Sequence, residues 1–317
     1  MRTPISALVP IKNGEQWLTG FATYIRSELN SKDEIILIDD GSSDNTSNLL
    51  KELNFGFCST LNLTNDGSGL VSALNLGIKK ASNDWIARFD IDDQYVLGRL
   101  NAQSELVDEK TVLVFSDYSV EGNGKVHLGT IPSAVFDLPM KLSLFSSQRT
   151  AHPVALMRRE TAQAAGGYFL NDFPAEDLGL WRRMANLGEI KSVPRTLLKY
   201  NLRLESISGS RYSEIKSVTP TVIKRYPINF ERAVFNFRQI KTTLNLYRGL
   251  DRSNERKCLF LVDLFRLGVR DKTFKIGLLR VFSIIVSHII RPKIIFAAFK
   301  LLIDQRNRKL YRRSRPV

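Results

Sequence analysis

Only two cysteines occur in the 317 residues. Cys58 and Cys258 stand 200 positions apart, so neither a zinc knuckle nor a redox pair is encoded, and a reducing compartment suits the chain. Long apolar runs are missing too. The stretch 5–10 is too brief for the apolar region of a signal peptide and lacks its small-residue cleavage site. The longest late run without a formal charge, 281–290, is about half of the roughly 20 residues a spanning helix needs. Neither export nor a transmembrane helix is expected. Acidic residues become scarce in one place: residues 209–317 hold 25 Lys and Arg against 7 Asp and Glu, a net +18, whereas residues 1–208 hold 21 against 25, a net −4. The overall +14 is therefore a sum of two unlike parts. With 43% hydrophobic residues and no repeat or low-complexity tract, disorder, collagen and a small disulfide scaffold are excluded.

What is present begins with alternation. Short β-branched runs at 5–9, 34–38, 57–63 and 85–89 predict strands, and the segments 15–29, 43–53 and 69–81 between them carry helix periodicity. This predicts an α/β domain with a mainly parallel, buried central sheet flanked by helices, whose ligands bind beyond the carboxyl ends of the strands. Shorter strands follow at 112–116 and 125–128, then a helix near 138–145, and from residue 214 nearly everything reads as helix. A boundary is expected near Gly209, where the charge changes sign, giving a catalytic domain over 1–208 and a helical basic region over 209–317.

Two acidic clusters end apolar strands. In Ile38-Asp39-Asp40-Gly41-Ser42-Ser43-Asp44, an ordinary strand–turn–helix junction accounts for the glycine and for Ser43 or Asp44 as a helix cap. It does not account for two adjacent carboxylates, which alternation aims at opposite faces, one of them toward the crevice as an acceptor. In Phe89-Asp90-Ile91-Asp92-Asp93, three carboxylates within four residues repel one another unless a cation or several donors compensate them. A hard divalent ion held by one or two carboxylates and substrate phosphates would do so; a solvated acidic loop is the alternative.

Taken in order, Pro10-Ile11-Lys12-Asn13-Gly14-Glu15, Asp39-Asp40-Gly41-Ser42-Ser43-Asp44, Asn65-Asp66-Gly67, Ala73-Leu74-Asn75-Leu76-Gly77 and Asp90-Ile91-Asp92-Asp93 resemble the motifs of family 2 glycosyltransferases with the GT-A fold. Each motif is weak alone; their order and spacing carry the resemblance over roughly residues 5–208. His152-Pro153, Gly166-Gly167-Tyr168 and Glu176-Asp177-Leu178-Gly179-Leu180-Trp181 resemble the family's acceptor-side region and its Glu-Asp motif, although an acidic pair opening a helix also suits the helix dipole.

The resemblance implies transfer of a sugar from a nucleoside diphosphate, UDP favoured, to a hydroxyl with inversion. It implies Asp177 as base with Glu176 as substitute, and Mn or Mg on Asp92, with Asp90 directly or through water. Pro10, Glu15, Asp39, Asp40, Asp90 and Arg99 are implied in nucleotide-sugar binding. His152 is either a substrate contact or a core histidine, and Trp181 either stacks on a sugar or packs in the core. Where the family often has histidine this chain has Arg203, which can bind phosphate but not metal. Tyr is often found where Lys12 stands, and the Gln-x-x-Arg-Trp mark of processive members is missing, which favours single-sugar transfer.

The basic C-terminal region mixes apolar stretches at 276–286 and 294–303 with a cationic end at 305–313. Such helices suit the interface of an anionic bilayer, which would place the chain peripherally on the cytoplasmic face of the membrane beside a lipid-linked saccharide acceptor, as in bacterial surface-polysaccharide assembly. Packing on the catalytic domain is the alternative. Nucleic-acid binding would rest on charge alone and is not expected, and the intact carboxylates argue against a silent scaffold.

Overall fold

The computed structural model describes residues 2–228 except 54, 135, 136 and 147–149, together with residues 250, 253–257, 259, 260, 263, 304, 307 and 308. The first four strands, β1 (Ile5–Ile11), β2 (Glu34–Asp39), β3 (Ser59–Thr64) and β4 (Trp85–Arg88), alternate with α1 (Glu15–Glu28), α2 (Thr46–Glu52) and α3 (Leu70–Lys80). All are parallel, in the order β3-β2-β1-β4.

Beyond β4 the sheet becomes mixed. The short β5 (Gln94–Tyr95) and α4 (Arg99–Ser104) lead to the twelve-residue β6 (Thr111–Gly122), which turns back as the hairpin strand β7 (Val126–Ile131). Then come α5 (Asp137–Ser146), β8 (Leu156–Arg158), α6 (Arg159–Ala164), α7 (Glu176–Met184), β9 (Glu189–Leu202), α8 (Ile207–Ser210) and α9 (Tyr212–Arg225). The sheet continues β4-β8-β6-β9-β5: β8 is antiparallel to both neighbours, β9 is parallel to β6, and β5 is antiparallel to β9. The parallel expectation thus describes the first four strands. Among the later ones, β7 returns on β6 by a tight turn, where Asn123 (φ 50°) and Gly124 (φ 68°) adopt left-handed backbone, rather than by a helical crossover.

Every residue of β1, β2 and β4 is buried, and successive side chains feed two separate cores. Leu8, Ile36 and Ile38 join one with α3 and α7; Ala7, Val9, Ile35 and Leu37 join the other with α1. The uniform apolar strands follow from helices on both faces. Gly77 lets α3 sit directly on the sheet, since a Cβ there would lie 2.0 Å from Leu8 Cδ1.

Described residues beyond 208 pack on this domain. Fully buried Arg182 of α7 donates to the carbonyls of Ile223 (3.0 Å) and Tyr226 (2.7 Å) after the sheet is complete. Farther along, Arg256 forms a buried ion pair with Asp117 of β6 at 2.5 Å, and Glu255, Phe260 and Asp263 are also buried. The stretches 276–286 and 294–303, and all of 305–313 except 307 and 308, lie outside the described residues. Among those described, no helix is long and apolar enough to cross a membrane.

Candidate active site

The carboxyl ends of β1, β2 and β3 are level: Ile11 pairs with Asp39, and Asp39 with Thr64. The turn after β2 is held by its own carboxylates. Asp39 Oδ1 accepts from the Ser42 amide at 2.9 Å and Oδ2 from the Ser47 hydroxyl. Asp40 Oδ1 accepts from the side-chain amide of Asn65 (2.7 Å) and the Gly69 amide (2.9 Å), which ties the β2 turn to the β3 turn. The two turns touch through glycine: Gly41 has φ +71°, and a Cβ there would come within 2.9 Å of the Gly67 backbone. The first motif is drawn in as well. Asn13 Oδ1 accepts from the Ser43 amide (2.8 Å), and Glu15 Oε2 from the Asn45 amide (2.7 Å). Pro10 lies buried in β1 opposite Ile38, while Glu15 is exposed at the start of α1.

The loop after β4 is wired differently. Arg88, the last residue of the strand, is 2% exposed and donates through Nη2 to Asp90 Oδ1 at 2.7 Å. Tyr95 pins the same residue by its backbone: its hydroxyl accepts from the Asp90 amide (2.6 Å) and donates to the Asp90 carbonyl (3.0 Å). Asp92 Oδ2 accepts from both Nε (3.0 Å) and Nη2 (2.5 Å) of Arg203, just past β9. Asp93 is more deeply placed, with Oδ1 accepting from the Asn201 amide at 2.6 Å and a buried Oδ2 without a partner. Burial and the neighbouring carboxylates raise the pKa of Asp93 well above the ordinary value, and burial together with Asp90 raises that of Asp92 against the pull of Arg203. This loop is short of positive charge.

The Glu176-Asp177 pair opens α7 within electrostatic reach of Arg88 and Asp90. Glu176 is 5% exposed with an unpartnered Oε2, and burial, followed by the Asp177 charge, pushes its pKa up to about 8; Arg88 and Asp90 act on it as well. Asp177 is half-buried, with Oδ1 accepting from the Leu178 amide at 2.6 Å. At neutral pH burial and the neighbouring charge hold Glu176 mainly as the acid.

Of the two residues read two ways in the sequence, His152 is half-buried, its Nε2 2.9 Å from the Tyr168 hydroxyl, and desolvation pushes its pKa well below the ordinary range, so the ring is neutral. Trp181 is 0% exposed and packs edge-on against Phe115, His152 and Tyr168. Arg99 is a correction. Expected among the nucleotide-sugar contacts, it is fully buried, stacked 4.3 Å from the Phe89 ring centre and donating to Gln103 Oε1 (3.0 Å) and the Arg88 carbonyl (3.0 Å). It supports the end of β4 from beneath rather than facing the crevice.

Sequence reasoning passed over Arg88, Tyr95, Trp17 and Asn75. An arginine inside an apolar strand just before an acidic motif was the available signal for Arg88. Asn75 brackets Tyr168, donating to its carbonyl and accepting from its amide, both at 2.8 Å, and so fastens α3 to the segment leading into α7.

A divalent ion fits this loop in its donor chemistry. Asp90 and Asp92 each commit one oxygen to a guanidinium, and hard oxygens with uncompensated charge suit Mg²⁺ or Mn²⁺ completed by phosphates. Among the described residues no group of three or more His, Cys, Asp or Glu is gathered as a ready-made metal cage.

Residues 6–164 match the glycosyl transferase family 2 model, and the chain belongs to that family. It is 24% identical over 219 residues, 67% of this chain and 82% of the relative, to the Escherichia coli UDP-Glc:alpha-D-GlcNAc-diphosphoundecaprenol beta-1,3-glucosyltransferase WfgD. It is 26% identical over 196 residues, 58% of this chain and 71% of the relative, to the Erwinia amylovora amylovoran biosynthesis glycosyltransferase AmsE. An uncharacterized glycosyltransferase of Rickettsia bellii is 26% identical over 227 residues, 66% of this chain, which spans only 31% of that relative's length. The fold is GT-A. A Pyrobaculum calidifontis mannosyltransferase solved with GDP-Man and Mn²⁺ superposes with a TM-score of 0.57 at 13% identity, covering 97% of this chain and 87% of the other. Residues 1–349 of S. aureus TarS with UDP-GlcNAc give 0.56 at 17% identity, covering 98% and 91%.

Proposed function

We propose that this glycosyltransferase moves one sugar from a nucleoside-diphosphate sugar, UDP-linked by preference, to a hydroxyl of a lipid-linked saccharide during assembly of a bacterial surface polysaccharide, with inversion at the anomeric carbon. The observation that carries the reading is that Arg88 pairs with Asp90 of the acidic loop and that both Arg88 and Asp90 act electrostatically on Glu176, which brings the Asp90–Asp93 loop and the Glu176-Asp177 pair within reach of one another. The names of WfgD and AmsE support the saccharide acceptor and the polysaccharide setting.

In this reading Asp177 accepts the proton of the attacking hydroxyl. Glu176 beside it, its pKa raised by burial and by the Asp177 charge, stays mainly protonated at neutral pH. Asp40, whose Oδ1 already holds Asn65 and Gly69, offers Oδ2 to the nucleobase, with Pro10, Glu15 and Asp39 shaping the pocket rim. Asp92 and Asp90 hold the Mn²⁺ or Mg²⁺, which when bound offsets the charge developing on the leaving diphosphate. The basic C-terminal region, net +18 over 209–317, brings the enzyme to an anionic membrane surface where a lipid-linked acceptor resides.

Titration calorimetry of the full chain with UDP-, GDP- and TDP-sugars in the presence of Mn²⁺ tests the donor reading. One nucleotide class binding selectively, and more weakly once Mn²⁺ is chelated, is the expected result. Binding of none of them, or binding indifferent to the metal, would overturn it.

A further inference from the structure

The end of β9 reaches across to the acidic loop and closes it. Besides the Asn201 amide bond to Asp93, the Asn201 side chain donates to the Asp92 carbonyl at 3.1 Å, so the backbone of this junction is fixed at two points. Arg203 then projects from a rigid base. Its guanidinium rests against Asp92 Oδ2 and lies 4.3 Å from the ring centre of Trp17 on α1. Neither partner is sealed in: the Arg203 side chain is 24% exposed and that of Asp92 17%.

Resting on the proposed donor and metal chemistry, we infer that Arg203 is a mobile counter-ion. It holds Asp92 while the site is empty and moves onto the diphosphate when nucleotide arrives, so that the divalent ion reaches Asp92 only together with the nucleotide. Three physical points lead there. A guanidinium has no lone pair and cannot ligate a metal, so Arg203 and a divalent ion compete for the same carboxylate instead of sharing in its coordination. Two cations on one oxygen repel strongly in a partly desolvated loop. A diphosphate presents paired anionic oxygens that the planar arginine fork can engage bidentately, which gives the displaced side chain a better partner than water. Trp17 supplies an aromatic face that keeps the guanidinium near the crevice during the exchange. Arg203 and Trp17 are thus positioning residues that couple the order of metal and nucleotide binding.

The test measures Mn²⁺ binding to the full chain by electron paramagnetic resonance, with and without UDP and GDP, in wild type, Arg203→Gln and Arg203→Lys. Without nucleotide, Arg203→Gln is expected to bind Mn²⁺ at least about tenfold more tightly than wild type, with Arg203→Lys between them. Nucleotide should tighten Mn²⁺ binding much more in wild type than in Arg203→Gln. A second readout is tryptophan fluorescence: nucleotide with Mn²⁺ should change the wild-type signal, and the change should vanish in Trp17→Phe, which leaves Trp85 and Trp181 in place. Equal Mn²⁺ affinity of wild type and Arg203→Gln without nucleotide would overturn the mobile counter-ion while leaving the metal site standing. Failure of every protein to take up Mn²⁺ under any of these conditions would overturn both. Circular dichroism establishes that each variant is folded, and Arg203→Lys keeps the test decisive if the glutamine variant is not.

Discussion

Two strand ends in one sheet carry adjacent carboxylates, yet their electrostatics differ. After β2, both oxygens of Asp39 and one oxygen of Asp40 accept hydrogen bonds from Ser42, Ser47, Asn65 and Gly69, all neutral donors of the surrounding loops. After β4, the carboxylates meet guanidinium groups and one another, Asp93 keeps a buried oxygen without a partner, and burial together with like charge raises the pKa values of Asp92 and Asp93. The first turn is a finished structural joint that offers a remaining acceptor to a ligand. The second is held by ion pairs and leaves like charges close together, the arrangement to which the proposed divalent ion would add the balancing charge. The same residue type at the same kind of position therefore serves shape in one place and chemistry in the other, and the number of nearby neutral donors separates the two.

The largest effect is expected from Asp177→Asn, which removes the proposed proton acceptor while nearly preserving side-chain size. Transfer should fall by about 10²–10⁴-fold, the usual span for a positioned base, while nucleotide binding by calorimetry is unchanged. Undiminished turnover would return the base role to Glu176.

A paired experiment addresses the comparison directly. Asp40→Ala strands the buried Asn65 amide and the Gly69 N–H, and should cost about 1–3 kcal/mol in urea unfolding, whereas Asp40→Asn, which keeps an acceptor oxygen, should cost less. Asp92→Ala removes only a partly exposed ion pair, so its unfolding free energy should stay within about 1 kcal/mol of wild type. Its Mn²⁺-dependent nucleotide binding should nevertheless disappear. If Asp92→Ala proves the more destabilising of the two, the contrast between a structural turn and a functional loop is wrong.

The smallest effect is one of pH. The folded-state pKa of Glu176, about 8, lies above its ordinary 4.5, so the protonated carboxyl contributes stability that is fully present below 4.5 and lost as pH rises through 8. Melting temperatures across pH 5–9 should fall less steeply for Glu176→Gln than for wild type. Parallel curves would mean that the carboxyl is not held as the acid.

Much of this was legible in the residue order. The first four strands and the three helices between them appear close to where apolar periodicity put them, because strands buried on both faces must be apolar throughout and helices packed on them must be amphipathic. The acidic turns fall at strand ends for the same reason: they begin where the apolar run stops. The second half was less readable. β6 extends over twelve residues through a polar stretch, Ser116-Asp117-Tyr118-Ser119, because Asp117 is matched in the fold by Arg256, 139 positions away. Arg99 looked like a ligand contact because a sequence cannot show that a guanidinium is enclosed by Phe89, Gln103 and two carbonyls.

By itself, then, the sequence determined the family, the parallel first half of the sheet and the identity of the acidic clusters, since these depend on local periodicity and on motifs a few residues long. Tertiary structure alone decided which carboxylates are already satisfied, that Trp181 belongs to the core, that the carboxyl of Glu176 is buried and its pKa raised, and that Arg203 meets Asp92 across 111 positions of chain. Hydrogen-bond satisfaction and desolvation are properties of the three-dimensional neighbourhood, and that neighbourhood is assembled from segments far apart along the chain.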